Sequence, residues 1–405
     1  MKSFIYALIP VLALIVSGCS HRPKLTRALP FEEAVKLVAD DLFIQVDKQR
    51  GILNKLSDAM FVVDPVIDAD TGEVTKTSSR IQEVIELEAK QRFKNFGLAE
   101  MTSQNITKAP YVISGILRQG HYSSDSDKLM RLWISIVEVQ SGRIVAHSSA
   151  WISDEKLAYE PTPMYRDSPV FIIDARVKGL IATAKAATGG IADKEYFNSL
   201  ATNALLTEAG NAYDQGNYTL SLGLHAKAAE RADGQVMKTF RGLYLSFLKL
   251  ERVDEAEDAF GKLADLGIRD NDLYIKMLFQ VNKTDFFGNR EDLMEYPIWL
   301  RQIAGRLMAS GHCMEISGHA SHSGTEEYNN RLSQMRAEQI QKLLQNEEPG
   351  LSEKLQAIGC GFHDNWVGSG SDDDSDAIDR RVQFRVIECG LPKGRECTPG
   401  LVDRN

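Results

Sequence analysis

The residues best equipped for chemistry crowd into the last third of the chain. His319 and His322 stand three apart with Ser321 and Ser323 interleaved, a layout that invites a metal site or a hydrolytic nucleophile. Neither is completed. No carboxylate or third histidine stands at helical spacing to close a metal set, and no Gly-x-Ser-x-Gly elbow is present to expose a serine. The two histidines therefore read as strand-end and loop residues lining a pocket, and no catalytic residue, metal or cofactor is assigned. Cys313, Cys360, Cys389 and Cys397 share this region. Cys389 and Cys397 are eight apart and no Cys-x-x-Cys occurs, which disfavours zinc. In an oxidising compartment an even set of thiols favours one or two disulfides, with three full pairings open. Cys389 with Cys397 is the simplest local pair, because Gly390, Pro392 and Gly394 allow a tight loop between them.

That compartment is set at the other end of the chain. Met1 to Cys19 carries one basic residue, Lys2, then an apolar run from Phe4 to Val16, then the small residues Ser17 and Gly18 before Cys19. The run is a secretory signal layout, too short to span a bilayer comfortably. Val16-Ser17-Gly18-Cys19 resembles the bacterial lipobox, in which the cysteine becomes the lipidated first residue. In such signals an Asp after the cysteine retains the protein in the inner membrane; here the residue is Ser20. The resemblance implies an outer-membrane lipoprotein, anchored through Cys19 and facing the periplasm. Residues 1–18 are then the signal peptide and 19–30, with Pro23 and Pro30, a short tether.

The elements that position the chemistry follow from periodicity. Phe31, Val35, Val38, Leu42 and Val46 fall on one stripe of a helix. Met60 to Val63 is a short apolar run stopped by Asp64-Pro65, a buried strand. Thr77 to Phe96 is helical in pattern with Gly97 as its C-cap. Tyr111 to Leu117 and Leu129 to Val139 are rich in β-branched and aromatic residues, and Ser141-Gly142 turns the chain into Arg143 to Trp151 as a hairpin. Gly72 centres a turn, and no phosphate-cradling glycine loop exists. This order resembles the periplasmic α/β domain of the LpoB and CsgG lipoprotein families, carried by Val62-Val63-Asp64-Pro65, the helix Ile81 to Phe93, Tyr111 to Gly115 and Val137 to Val145. It would occupy 31–190.

From Tyr196 to Ile268 the texture changes to Ala- and Leu-rich helices without proline. Shifting the chain by 35 residues aligns Gly216, Tyr218, Ser221, His225 and Ala228 with Glu251, Val253, Ala256, Phe260 and Leu263. The pattern resembles tetratricopeptide repeats, over 196–268, and a plain helical hairpin is the alternative. Two such units are marginal alone and should pack on a neighbour.

The last domain, 272–389, has strand candidates at Lys276 to Val281, Cys313 to His319, Leu355 to Gly359 and Arg381 to Ile387, with helices at Glu291 to Ser310 and Tyr328 to Gln345; a tail fills 390–405. Gly318-His319-Ala320-Ser321, Gly324, Tyr328-Asn329, Leu332-Ser333, Arg336-Ala337 and Asp379-Arg380-Arg381-Val382 together resemble the OmpA-like domain. The resemblance implies non-covalent binding of the diaminopimelate side chain in the peptide stem of peptidoglycan. That ligand end is a zwitterion, so its site needs an anion for the ammonium and a guanidinium fork for the carboxylate. Arg336 matches the family's carboxylate-binding arginine, Asn329 a supporting asparagine, and Arg380 and Arg381 the pair before the final strand. Ser321 departs from the pattern: many members have there the Asp that pairs with the ammonium. Glu326, Glu327 or the acidic run Asp372-Asp373-Asp374 are the acids nearby in sequence.

Composition bounds the rest. At 405 residues with 43% hydrophobic content the chain needs two or three cores. The expected fold class is multidomain: an α/β N-terminal domain, an all-α repeat segment and an α+β OmpA-like C-terminal domain. A formal net charge of −9 without a basic run argues against nucleic acid or an anionic lipid surface as main partner. Two functions are expected from this: a tether from the outer membrane to peptidoglycan, or a scaffold whose residues 31–268 recruit a periplasmic protein such as a peptidoglycan synthase or an envelope-spanning assembly.

Overall fold

A computed structural model describes residues 27–50, 58–122, 128–154, 157–288, 290–365 and 378–390. The segment 1–18 expected to be a signal peptide, Cys19, most of the expected tether, the acidic run Asp372 to Asp374, Cys397 and the residues beyond 390 lie outside the described residues. Among the described residues no helix is long and apolar enough to cross a membrane.

The N-terminal α/β unit contains α1 (Phe31–Gln49), β1 (Ala59–Val63), β2 (Ile67–Asp68), α2 (Lys76–Arg92), β3 (Phe96–Glu100), β4 (Tyr111–His121), β5 (Lys128–Glu138) and β6 (Ile144–Ile152). The sheet order is β3-β1-β4-β5-β6, with β2 on the far half of β4. β1 runs parallel to β3 and β4, and β4-β5-β6 is an antiparallel meander. The apolar run at 61–63 is continuous because both faces of the sheet are covered. Phe61 and Val63 join the core under α1 and α2, whereas Val62 joins the opposite core. On α1 the expected stripe of Val35, Val38, Leu42 and Val46 is at most 1% exposed; each such side chain contributes about 1.5–3 kcal/mol by leaving water. The sequence expectation for Gly97 is corrected: α2 ends at Arg92 and Gly97 lies inside β3. Phe93 and Phe96 stack at 5.6 Å and both pack on Phe43, so aromatic burial ends the helix early. Gly72 does centre a turn, at φ +71°, where a Cβ would meet the Ile172 carbonyl at 2.3 Å.

A short α3 (Pro163–Arg166), β7 (Val170–Phe171), α4 (Ala175–Lys185) and α5 (Lys194–Asn198) cross to the second face of the sheet. Two antiparallel helix pairs follow: α6 (Leu200–Asp214) with α7 (Tyr218–Ala229), and α8 (Met237–Lys249) with α9 (Val253–Asp270). Gly216 and Glu251, aligned by the 35-residue shift, both turn the chain in the left-handed region at φ +77° and +59°. His225 is fully buried, its Nδ1 2.9 Å from the Ser221 carbonyl. Burial, with Arg241 nearby, drives its imidazole down to about 3. Gly242 makes the α7–α8 contact possible: a Cβ there would stand 1.9 Å from His225 Nε2.

The C-terminal unit comprises β8 (Tyr274–Ile275), α10 (Arg290–Ser310), β9 (Cys313–Gly318), α11 (Glu326–Glu347), β10 (Leu355–Gly359) and β11 (Val382–Ile387). Its sheet order is β10-β9-β11, with β10 parallel and β11 antiparallel to β9. The strand expected over 276–281 is corrected: β8 pairs instead with β7, and Leu278 and Phe279 make only single bridges, to Arg381 and Phe286. Lys276 is drawn out of that register by a buried ion pair with Glu73 at 2.5 Å and a bond to the Tyr165 carbonyl at 2.7 Å. The helical pairs and this unit share one apolar core. Within it Phe260 stacks on Trp299, whose Nε1 donates to Tyr244 Oη at 2.7 Å. The helices thus do pack on a neighbour, without a break in packing between 268 and 272.

Candidate functional site

Small residues let α11 lie directly on the C-terminal sheet. A Cβ on Gly318 of β9 would stand 2.0 Å from the Ser333 carbonyl, and one on Gly359 of β10 would stand 2.6 Å from the Gln334 nitrogen. Ser333 Oγ accepts from the Gly361 N–H at 2.8 Å, fixing the chain as it leaves β10. This close approach explains why glycine and serine stand at these motif positions, since a larger side chain would lift the helix. Thr325 caps α11, its hydroxyl accepting from the Tyr328 N–H.

With the helix so placed, Arg336 reaches a buried knot. Its Nη1 donates to the His319 carbonyl at 2.9 Å, Nη2 to the Gln280 carbonyl at 3.0 Å and Nε to the Lys283 carbonyl at 3.1 Å. Its plane lies over the Phe279 ring at 5.3 Å. Arg380 donates from Nε to the Phe279 carbonyl at 3.1 Å. Arg381 pairs with Asp364 at 2.9 Å and also holds the Asp364 carbonyl at 3.0 Å; its own carbonyl accepts from the His319 N–H at 2.9 Å. Asn329 Nδ2 donates to the Ser323 carbonyl at 2.6 Å, closing the loop that contains Ser321. The structure therefore gathers Arg336, Arg380, Arg381, Asn329 and Ser321 at the end of β9 and the first half of α11. All five are buried, none more than 5% exposed.

Burial changes what Arg336 can offer. The sequence suggests an open fork awaiting a carboxylate; in this structure the guanidinium is wholly buried and already donates to three carbonyls. A carboxylate reaching it must exchange with one of those carbonyls. Such an exchange favours the carboxylate, because a bond charged on both partners is stronger than one charged on the donor alone. The rim of the knot is polar and open: His322 is exposed with its ring 4.4 Å from that of Phe362, and Tyr328, 45% exposed, reaches Asn282 Oδ1. Of the acids near the motif, Glu326 stands 3.2 Å from His363 Nε2 and Glu327 pairs with Arg331 at 3.0 Å. His319 is buried and His322 exposed. Among the described residues no group of three or more His, Cys, Asp and Glu is placed to hold a metal.

Of the pairings left open by the sequence, the simplest local one, Cys389 with Cys397, is corrected. Cys389 bonds to Cys313, across a sequence separation of 76, rather than to Cys397. The cause is strand register: β11 runs antiparallel to β9 with Ile387 opposite Cys313, which brings Cys389 beside the start of β9 at a Cα separation of 5.2 Å. Cys360 is disulfide-bonded as well. Sequence reasoning also missed Asp364, the buried partner of Arg381; no spacing from the motif points to it, because it lies in a loop.

The model of the OmpA family matches residues 289–378. A crystal structure of the peptidoglycan-associated lipoprotein from Burkholderia pseudomallei is similar at 26% identity, over 27% of this chain and 88% of its own, with a TM-score of 0.24. No curated protein matches the chain. With β9, α11 and Arg336 in the arrangement described and the family match covering them, residues 289–378 of this chain form an OmpA family domain.

Proposed function

We propose that this protein is a non-enzymatic outer-membrane lipoprotein that ties the membrane to peptidoglycan, anchored by lipid at Cys19 and holding the diaminopimelate end of the stem peptide in its OmpA family domain. The observation that carries the reading is the convergence of Ser321, Asn329 and Arg336, all within residues matched to that family, with Arg380 and Arg381 just beyond the match, on one end of β9. Arg336 takes the ligand carboxylate by exchanging a carbonyl bond, Asn329 holds the 321–324 loop, and Arg380 and Arg381 fix the floor beneath it. Ser321 gives the ammonium a neutral acceptor where an acid would give a charged one. This reading expects the full chain to sediment with purified sacculi and to be released by soluble stem peptide. A chain that stays in the supernatant at all protein concentrations tested refutes it.

A second reading is favoured by the bulk of the chain outside that domain. A tether needs only a linker, yet here a six-stranded sheet and four long helices precede the domain, and the helices share its core. We propose that residues 31–268, with their LpoB- and CsgG-like order of elements and their repeat-like helices, dock a periplasmic protein partner. A single protein recurring in crosslinked envelopes, lost when those residues are deleted, supports it; murein fragments alone count against it.

A further inference from the structure

A second polar site lies far from the OmpA motif, in the seam between the N-terminal sheet and the helical pairs. A cavity of about 80 Å³ is walled by the ends of β1 and β2, by α3, α4 and α5, and by α6 and α8. Arg241 of α8 lines it at 4% exposure. Its guanidinium lies 4.5 Å over the Tyr165 ring, and Nη2 makes one weak contact, 3.9 Å to Met164 Sδ. Its Nε is buried without a hydrogen-bond partner, and Nη1 of Arg176, another lining residue, is in the same condition. A buried cation without a counter-ion is costly, and two buried N–H donors left idle on one cavity wall mark a place for an acceptor.

The charge count says which acceptor. Arg176, Lys238 and Arg241 share the lining of the cavity with Asp64 and Asp214, three cations against two acids. Both acids already have protein donors: Tyr196 Oη to Asp64 at 2.8 Å, and the Met164 N–H to Asp214 at 2.6 Å. Among the described residues none of the three cations forms a side-chain ion pair within 4.0 Å. One negative charge is wanted. At roughly 10–15 Å³ for each water the cavity has room for about five to eight non-hydrogen atoms. We propose that this cavity binds a small organic monoanion, a short-chain monocarboxylate without an ammonium group, its carboxylate on Arg241, Arg176 and Lys238. A planar carboxylate matches the geometry of a guanidinium fork, and a dianionic phosphate would leave an excess of negative charge. Because the walls come from both the sheet unit and α8, occupancy would brace the seam on which the recruiting surface rests.

Calorimetric titration of the full chain, purified in detergent at constant chloride, tests the proposal with glycine, D-alanine, acetate and inorganic phosphate as probes. Acetate is expected to saturate at one site per chain, more tightly than glycine or D-alanine, whose ammonium cancels the negative charge the cavity lacks. Arg241→Gln and the half-buried Lys238→Gln are each expected to weaken that binding by about tenfold or more, the size of one charge-assisted bond. Lys238 reaches partly to solvent, so its variant keeps the fold and decides the matter if Arg241→Gln does not fold. Absence of saturable heat from acetate, tighter binding of glycine, D-alanine or phosphate, or an undiminished affinity in Lys238→Gln overturns it. Sacculus binding of Lys238→Gln is expected to equal that of the unaltered chain, which separates this site from the peptidoglycan reading.

Discussion

Replacing Arg336 by alanine removes donors to three main-chain carbonyls, those of Gln280, Lys283 and His319, together with the packing of its stem on Phe279. Each bond from a charged donor contributes roughly 1.5–3 kcal/mol. Three such bonds are partly redundant, because the Gln280 carbonyl also accepts from the Lys283 N–H. A loss of about 4–6 kcal/mol is therefore expected, a large part of the roughly 5–15 kcal/mol that holds a folded domain together. Lysine at the same position keeps the charge but cannot span three carbonyls, and should recover only about a third of the loss. Urea unfolding followed by circular dichroism, with hydrogen exchange in β9 and α11 to localise the change, measures both variants. Sacculus binding must be compared under conditions in which each variant is folded, so that lost binding is not merely lost structure. If Arg336→Ala unfolds within about 0.5 kcal/mol of the unaltered chain, the range of an ordinary surface substitution, the guanidinium is not the pin described here.

Four further outcomes are expected. Ser321→Asp should tighten sacculus binding by about ten- to a hundredfold, one charge-assisted bond; unchanged sedimentation would mean that another acid already meets the ammonium. Breaking the Cys313–Cys389 bond opens a closed loop of sequence separation 76 and should cost about 4 kcal/mol on chain-entropy grounds, read as a lower urea midpoint in Cys389→Ser at equal reductant. His225, held at about 3 when folded, takes up a proton only on unfolding between about pH 3 and 6.5, so its contribution falls as pH falls through that window. Asp64 has the opposite sign, its folded carboxyl raised to about 6, so the total pH profile is not diagnostic; instead, the stability advantage of the unaltered chain over His225→Gln should shrink by about 2 kcal/mol from pH 7 to pH 5, and a constant difference contradicts it. Gly242→Ala should destabilise the α7–α8 contact by several kcal/mol, on the order of an overpacked core position, since its Cβ would strike His225; a melting temperature equal to that of the unaltered chain would contradict the packing.

Much of this architecture was legible from period and composition. The helical stripe of Val35, Val38, Leu42 and Val46, the hairpin on Ser141-Gly142 and the strand-helix-strand order around Cys313, Arg336 and Ile387 all depend on local patterning, and local patterning survives into the structure. Gly216 and Glu251 show how a repeat can persist in geometry after it has faded in residue type: both positions turn left-handed, although only one is glycine.

What failed depends on partners distant in sequence. The run from Lys276 has the apolar content of a strand, but Lys276 is captured by Glu73 from the other end of the chain. No local pattern encodes that ion pair. Cys389 looked nearest to Cys397, yet antiparallel register brings Cys313 to it. Arg336 was identifiable as a motif residue, whereas its three carbonyl partners could not be read, because main-chain acceptors leave no mark in side-chain identity. Arg241 carried no signal at all: it sits in the helical stretch without any motif around it, and only the fold shows that its charge is buried with an idle Nε.

Recognition of a second, side-chain carboxylate is the centre of the account, and it is measured most directly by titrating the full chain with two soluble stem tripeptides, one ending in meso-diaminopimelate and one carrying lysine at that position. The lysine peptide keeps the ammonium and lacks the carboxylate proposed to exchange into the Arg336 knot. The account predicts saturable binding of the diaminopimelate peptide and an affinity about ten- to a hundredfold lower for the lysine peptide, the size of one charge-assisted contact. Equal affinity for the two peptides, or no binding of either, would contradict it.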